Sequence, residues 1–205
     1  MLDVKNIEVS GWKAAVRGMR NPMKSWEKAD SDFSNTINLG PNDLKLVLSL
    51  TSAGSSDRKL LRMIHVSMDI DAPLYWWKEM DQYKIATTTN SESTMHKIHS
   101  RDLSVDDFST EYLDTDESLK NLFQQIVDEI NKKRSSYTKD KQSWYQMIQL
   151  LPSSFNQMRT WDADYETLLS IYHQRKNHKL DEWRTFCSMI ENLPYMNLIL
   201  EACKH

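Results

Sequence analysis

The sequence predicts an α+β fold, a small mixed sheet covered by long helices, and three observations carry that expectation. Turn residues are scarce, with four Gly and five Pro in 205 residues, which favours long helices over a many-stranded sandwich. Apolar residues recur at helical spacing in several long segments. In one short segment, Leu61 to Ile70, polar and apolar residues alternate as a half-buried strand requires. With 40% apolar residues the chain can bury one sizeable core, so residues 1–205 are read as a single domain.

Taken in order, Ile7 to Val9 is a short apolar alternation and predicts a strand. Residues from Trp12 to Asp32 mix aromatic and basic side chains without a clear period, an irregular segment with room for a helical piece. Asn42 can cap a helix that carries Leu44, Val47, Leu48 and Leu50, and Gly54 suits its C-terminal end. In the alternating strand, Ile64, Val66, Met68 and Ile70 share the apolar face. Pro73 suits the first turn of a helix through Tyr75, Trp76, Trp77, Met80 and Tyr83, ending near Lys84. The polar run Thr87 to Thr94 has no stripe and is expected to be loop. Ser100 to Ser118, rich in Asp, Ser and Thr, is a surface loop and the one plausible hinge.

Asp116 opens a long helix through Leu119, Leu122, Phe123, Ile126, Val127 and Ile130. Helical spacing returns in Trp144, Met147, Ile148 and Leu151, stops at Pro152, and resumes from about Asp164 through Leu168, Leu169 and Tyr172. Asp181 to Ile190 is expected to be the last helix.

Charge and cysteine content exclude some roles. Net charge is −3, from 26 basic and 29 acidic residues, so no global positive field draws nucleic acid or an anionic membrane, and neither is expected as a partner. Any anionic ligand is held by a few placed cations. Cys187 and Cys203, with no basic-then-apolar leader and no long uncharged apolar run, point to a cytoplasmic protein with free thiols. No metal is expected: His96 and His99 share a helical face and His173 and His178 do not, and no carboxylate or thiol completes a set. Cys187 beside Phe186 reads as a small buried hydrophobe rather than a nucleophile.

Four glycines scattered at 11, 18, 40 and 54 cannot cradle a diphosphate through backbone amides, so a nucleotide would be held by side chains. Lys78 and Lys84 beside the hydroxyl run 87–94, and the cluster Arg175, Lys176, His178 and Lys179, offer such side chains. On composition alone, a solvated helix face is the simpler explanation of each. Trp76 and Trp77 suit stacking on a planar ring, or a core stripe.

Two patterns go further. Leu151-Pro152 is followed after a dozen residues by Asp164-Tyr165-Glu166-Thr167-Leu168, and then by Arg175, His178, Glu182, Trp183 and Arg184. This resembles the C-terminal region of flavin-dependent thymidylate synthases. There an L-P turn precedes a strand-like segment with a Trp, an N-x-R-x-L helix start, a helix-ending Arg and an H-A-Q-x-E-I-R run. Trp161, Arg175, His178, Glu182 and Arg184 fall in step, with one residue deleted before His178. Upstream, Ala72-Pro73, a helix and Asn90-Ser91-Glu92-Ser93 resemble the family's A-P dipeptide, helix and R-H-R-x-x-S-x-N-E-x-S-x-R.

The departures are specific. Gln82-Tyr83-Lys84 stands at R-H-R, Thr87 at its serine, and Met95 at the final Arg; the Glu is displaced to Glu92. Asp164 and Glu166 replace the helix-start Asn and Arg, and Leu180 replaces a Gln.

The resemblance implies a homotetramer that converts dUMP to dTMP with methylene-tetrahydrofolate, FAD and NADPH, without a protein nucleophile. It implies Lys78, Lys84, Ser93 and Arg175 at the dUMP-like nucleotide, and Thr87, Asn90, His178 and Glu182 at the flavin. Exchanging a phosphate-binding Arg for Met or Glu removes a bidentate charge contact, so the alternative is a relative that binds a nucleotide or a protein partner without flavin chemistry.

Overall fold

In the computed structural model, which describes residues 2–203, the expected alternation becomes strand β2 (His65–Pro73). Val66, Met68, Ile70 and Ala72 are buried, and His65, Ser67, Asp69 and Asp71 lie on the more open face. The strand starts later than expected. Leu60 and Leu61 are consecutive and both buried, which a half-buried strand cannot provide, and Lys59–Met63 forms a 3₁₀ turn instead.

Strands β1 (Asp3–Ser10), β2, β3 (Thr87–Ser91) and β4 (Asn156–Asp164) form a four-stranded antiparallel sheet in the order β1-β2-β4-β3. Side chains mark the β2/β4 register: Ser67 Oγ donates to Asp162 at 2.6 Å, and Thr160 Oγ1 donates to Asp69 at 2.6 Å. The run 87–94 is therefore not simply loop. Three threonines suit an extended backbone, and an edge strand with both faces near water needs no apolar alternation.

The chain divides into two compact units. One comprises the residues up to Lys5, Asp69–Tyr83 and Thr89–Thr160. It holds α3 (Leu74–Met80), α4 (Thr94–Lys97), α5 (Glu117–Ser135) and α6 (Lys141–Leu150). Ile98, Leu103, Phe108, Phe123, Val127, Ile130, Met147 and Phe155 form its core. Asp116 caps α5 as expected, accepting from the amides of Ser118 and Leu119. Helix α3 ends at Met80, short of Lys84, because Asp81, Gln82 and Lys84 are exposed and give it no face to bury. Trp76 and Trp77 are 0% and 1% exposed, pack edge to face at 5.0 Å, and belong to the core. Within residues 100–118 lie two 3₁₀ turns, Val105–Asp107 and Leu113–Thr115.

The other unit comprises Asn6–Met68, Lys84–Thr88 and Trp161 onward. It holds α1 (Trp12–Met19), α2 (Pro41–Ser52), α7 (Tyr165–Arg175), α8 (Asp181–Glu191) and α9 (Met196–Ala202). Gly11 joins β1 to α1 at a φ of 88°, and a Cβ there would stand 1.9 Å from the Met63 carbonyl oxygen, so the junction demands glycine. The cap of α2 differs from expectation. Gly40 is the N-cap and Pro41 opens the helix, while the Asp30 carboxylate accepts from the amides of Asn42 at 2.9 Å and Asp43 at 3.0 Å. Helix α8 is not the last: Met196, Ile199 and Leu200, a buried stripe in α9, follow Tyr195, which bends the chain at a φ of 60°. Burial of an Ile or Leu contributes roughly 1.5–3 kcal/mol relative to exposure, enough for a short helix to hold by packing.

Candidate functional site

The α7–α8 hairpin gathers three of the residues singled out by sequence, Arg175, His178 and Glu182, around Trp183. Asp164 starts it: its carboxylate accepts the Thr167 amide at 2.7 Å and caps α7. Tyr165, Leu168, Leu169 and Ile171 bury the inner face of α7. Its last turn carries His173 and Arg175, where cations meet the negative end of the helix dipole.

The Arg175 guanidinium lies over the Trp183 indole, 4.6 Å from guanidinium carbon to ring centroid. Trp183 is fully buried and makes an edge contact with His178 at 6.2 Å. The chain returns tightly: the His178 amide donates to the Arg175 carbonyl at 2.9 Å, and the Leu180 amide donates to His178 Nδ1 at 3.2 Å. Accepting at Nδ1 places the proton of a neutral ring on Nε2. Arg184 donates to the His178 carbonyl at 2.9 Å and pairs with Asp181, which holds the loop between the helices. Glu182 is buried at 8% exposure.

The electrostatics beside the hairpin are those of a packed site. Burial, then the nearby Glu191, push the Cys187 thiol up to about 11, against the opposing pull of Arg175, so it is protonated at neutral pH and no nucleophile. Tyr172 donates to Glu191, and that hydrogen bond, with burial, raises its hydroxyl to about 12. Burial lowers His173, and Lys176 and Arg58 lower it further. Tyr172, His173, Lys176, Glu191, Asn197 and Glu201 help line a cleft of about 380 Å³.

The start of α7 does not fit a flavin. Glu166 is held by Arg58, whose Nε donates at 2.9 and 3.0 Å, and Asp164 is taken up by the helix cap. A diphosphate brought there would meet the carboxylates of Asp162 and Glu166, with Asp164 buried in the cap and Arg58 already paired to Glu166. Sequence reasoning missed Arg58, which lies 108 positions from its partner and carries no local signal.

The remaining predicted residues are placed singly. Lys84 is exposed and Thr87 half-buried in the unit that holds the hairpin. Lys78, Asn90 and Ser93 belong to the other unit, and all three are exposed. Ser93 caps α4, accepting the His96 amide at 3.3 Å, with its hydroxyl 2.7 Å from His96 Nδ1. Among the described residues no group of three or more His, Cys, Asp or Glu is set to hold a metal, and no helix is long and apolar enough to cross a membrane.

No protein-family model matches the chain, and no curated protein sequence is similar to it. Solved structures are. A structure of thymidylate synthase X (ThyX) from Helicobacter pylori with FAD and dUMP matches 100% of this chain and 100% of its own, with a TM-score of 0.73 at 14% identity. A second, described as flavin-dependent thymidylate synthase ThyX from Helicobacter pylori complexed with FAD and dUMP, matches 98% of this chain and 100% of its own, with a TM-score of 0.71 at 13% identity. At that identity the likeness shows the fold, which is ThyX-like from end to end.

Proposed function

We propose that the chain binds a pyrimidine nucleotide monophosphate of the dUMP class at the α7–α8 hairpin and does not carry flavin chemistry. The observation that carries this reading is Arg175 lying over buried Trp183. A guanidinium over an indole keeps its charge and can grip a phosphate through its N–H fork, so the contact with Trp183 supports Arg175 as the phosphate ligand. His178, held by the Leu180 amide, adds a second nitrogen donor on the same loop. Lys84, in the same unit as the hairpin, is proposed as a further nucleotide contact on the strength of the motif resemblance.

Calorimetric titration with dUMP tests the reading. Arg175→Ala is expected to weaken binding about ten- to a hundredfold, the loss of a charge-assisted phosphate contact. The lost contact with the buried indole is worth about 2 kcal/mol, so a melting curve recorded beside the titration separates lost affinity from lost folding. Arg175→Lys keeps the charge without the planar fork and restores part of the affinity. Equal binding by parent and Arg175→Ala contradicts the assignment.

The family reaction is the second reading, favoured by the whole-chain likeness to ThyX structures solved with FAD and dUMP. It requires FAD, with Thr87, Asn90, His178 and Glu182 at the flavin, and NADPH and methylene-tetrahydrofolate as co-substrates. The acidic start of α7 weighs against it. Titration with FAD followed in the flavin absorption bands separates the two, because only the second predicts saturable binding.

A further inference from the structure

Residues 12–28 carry four exposed cations, Lys13, Arg17, Lys24 and Lys28, against one carboxylate, Glu27. None of the four makes an ion pair among the described residues. Of the next carboxylates along the chain, Asp30 accepts from the first amides of α2, exposed Asp32 accepts from the Ser34 amide, and buried Asp43 pairs with Arg20. The patch is therefore positive, although the whole chain has a net charge of −3.

An apolar tip stands in the middle of this patch. After α1 the chain reverses through Asn21-Pro22-Met23-Lys24, closed by the Lys24 amide donating to the Asn21 carbonyl at 3.1 Å. Met23 at the apex is 82% exposed and Trp26 is 50% exposed. The Trp26 ring and the loop backbone are both held. The Trp26 indole N–H donates to Asn21 Oδ1 at 2.9 Å, which fixes the ring. Buried Arg20 clamps the backbone from below, donating to the Ser25 carbonyl at 3.3 Å, the Lys28 carbonyl at 3.1 Å and Asp43 at 2.7 Å. A free loop would fold Met and Trp back onto the protein; here a buried ion pair holds them out.

We propose that this tip docks on an anionic lipid surface, with Met23 and the Trp26 ring entering the headgroup layer and Arg17, Lys24, Lys28 and Lys13 meeting the acidic headgroups. A second copy of the chain is disfavoured because cations would face cations. A convex tip of two large side chains flanked by charge needs no matching cavity in a deformable interface, and tryptophan settles at the headgroup level. One apolar anchor alone binds marginally, and the basic patch is the second signal that makes docking stable.

Flotation of the full chain with vesicles tests the proposal. The protein is expected to float with mixed phosphatidylserine and phosphatidylcholine vesicles and not with phosphatidylcholine alone. Met23→Asp with Trp26→Ala, and separately Lys24→Glu with Lys28→Glu, are expected to lower partitioning about tenfold or more while leaving the circular dichroism and melting curve like those of the parent. Equal partitioning onto the two vesicle types overturns the proposal, and so does parental partitioning by either variant pair. Binding of soluble polyglutamate as tight as binding to the anionic vesicles, and indifferent to Met23→Asp, would assign the patch to an acidic protein instead.

Discussion

Arg20 and Asp43 are 3% and 0% exposed and face each other beneath the 20–43 segment. Burial alone would raise the Asp43 carboxyl, but hydrogen bonds from the Ser31 hydroxyl, the Asp30 amide and Arg20 outweigh it and hold the group below the usual carboxylate range. A carboxyl with a depressed folded value contributes stability that is complete above its unfolded value of about 4 and is lost as pH falls through the folded value. Melts at decreasing acid pH are therefore expected to show the parent losing stability more steeply than Asp43→Asn, which has no such group to protonate. Arg20→Ala leaves the carboxylate buried without its counter-charge, at a cost of about 3–5 kcal/mol. Parallel acid profiles for parent and Asp43→Asn would remove this pair from the stability account. None of this was legible in the sequence, where Arg20 and Asp43 are two charges among 55.

At the scale of elements, legibility followed periodicity. Val66, Met68 and Ile70 on β2, and Phe123, Val127 and Ile130 on α5, are buried as their spacing requires. The errors lie where local rules compete. Asn42 had the chemistry of an N-cap, but Asp30, twelve positions upstream, took the amides of α2. Thr87–Ser91 had no stripe because an edge strand needs none. Helix α9 was overlooked although Met196, Ile199 and Leu200 stand at helical spacing, its start hidden behind Pro194 and the left-handed Tyr195. The acidic start of α7 has a structural use of its own. Asp164→Ala is expected to lower stability by about 1 kcal/mol through loss of the cap, seen as a shifted denaturant midpoint with an unchanged slope. Asp164→Asn, which also caps, is expected to stay near the parent. A parental midpoint for Asp164→Ala would mean that the cap contributes nothing and leave the residue free for a ligand role.

For the molecule as a whole, the motif resemblance anticipated a ThyX-like fold that charge, composition and spacing alone could place only in the α+β class. Arg175, His178 and Glu182, expected from the motif resemblance, fall on one hairpin because they sit close together in sequence. Arg58 and Arg20 were invisible because their partners are remote. Net charge was similarly silent about the basic patch at 12–28, since it sums over the surface. A homotetramer is proposed from the same resemblance, and light scattering giving the mass of a single chain at micromolar concentration would reject it. Whether Arg175 holds a nucleotide phosphate is read by titrating the protein with dUMP and with deoxyuridine, which lacks only that phosphate. Binding of dUMP is expected to be at least about tenfold tighter than that of deoxyuridine, the worth of one charge-assisted contact. Equal affinities, or no dUMP binding at millimolar nucleotide, would contradict that assignment of Arg175.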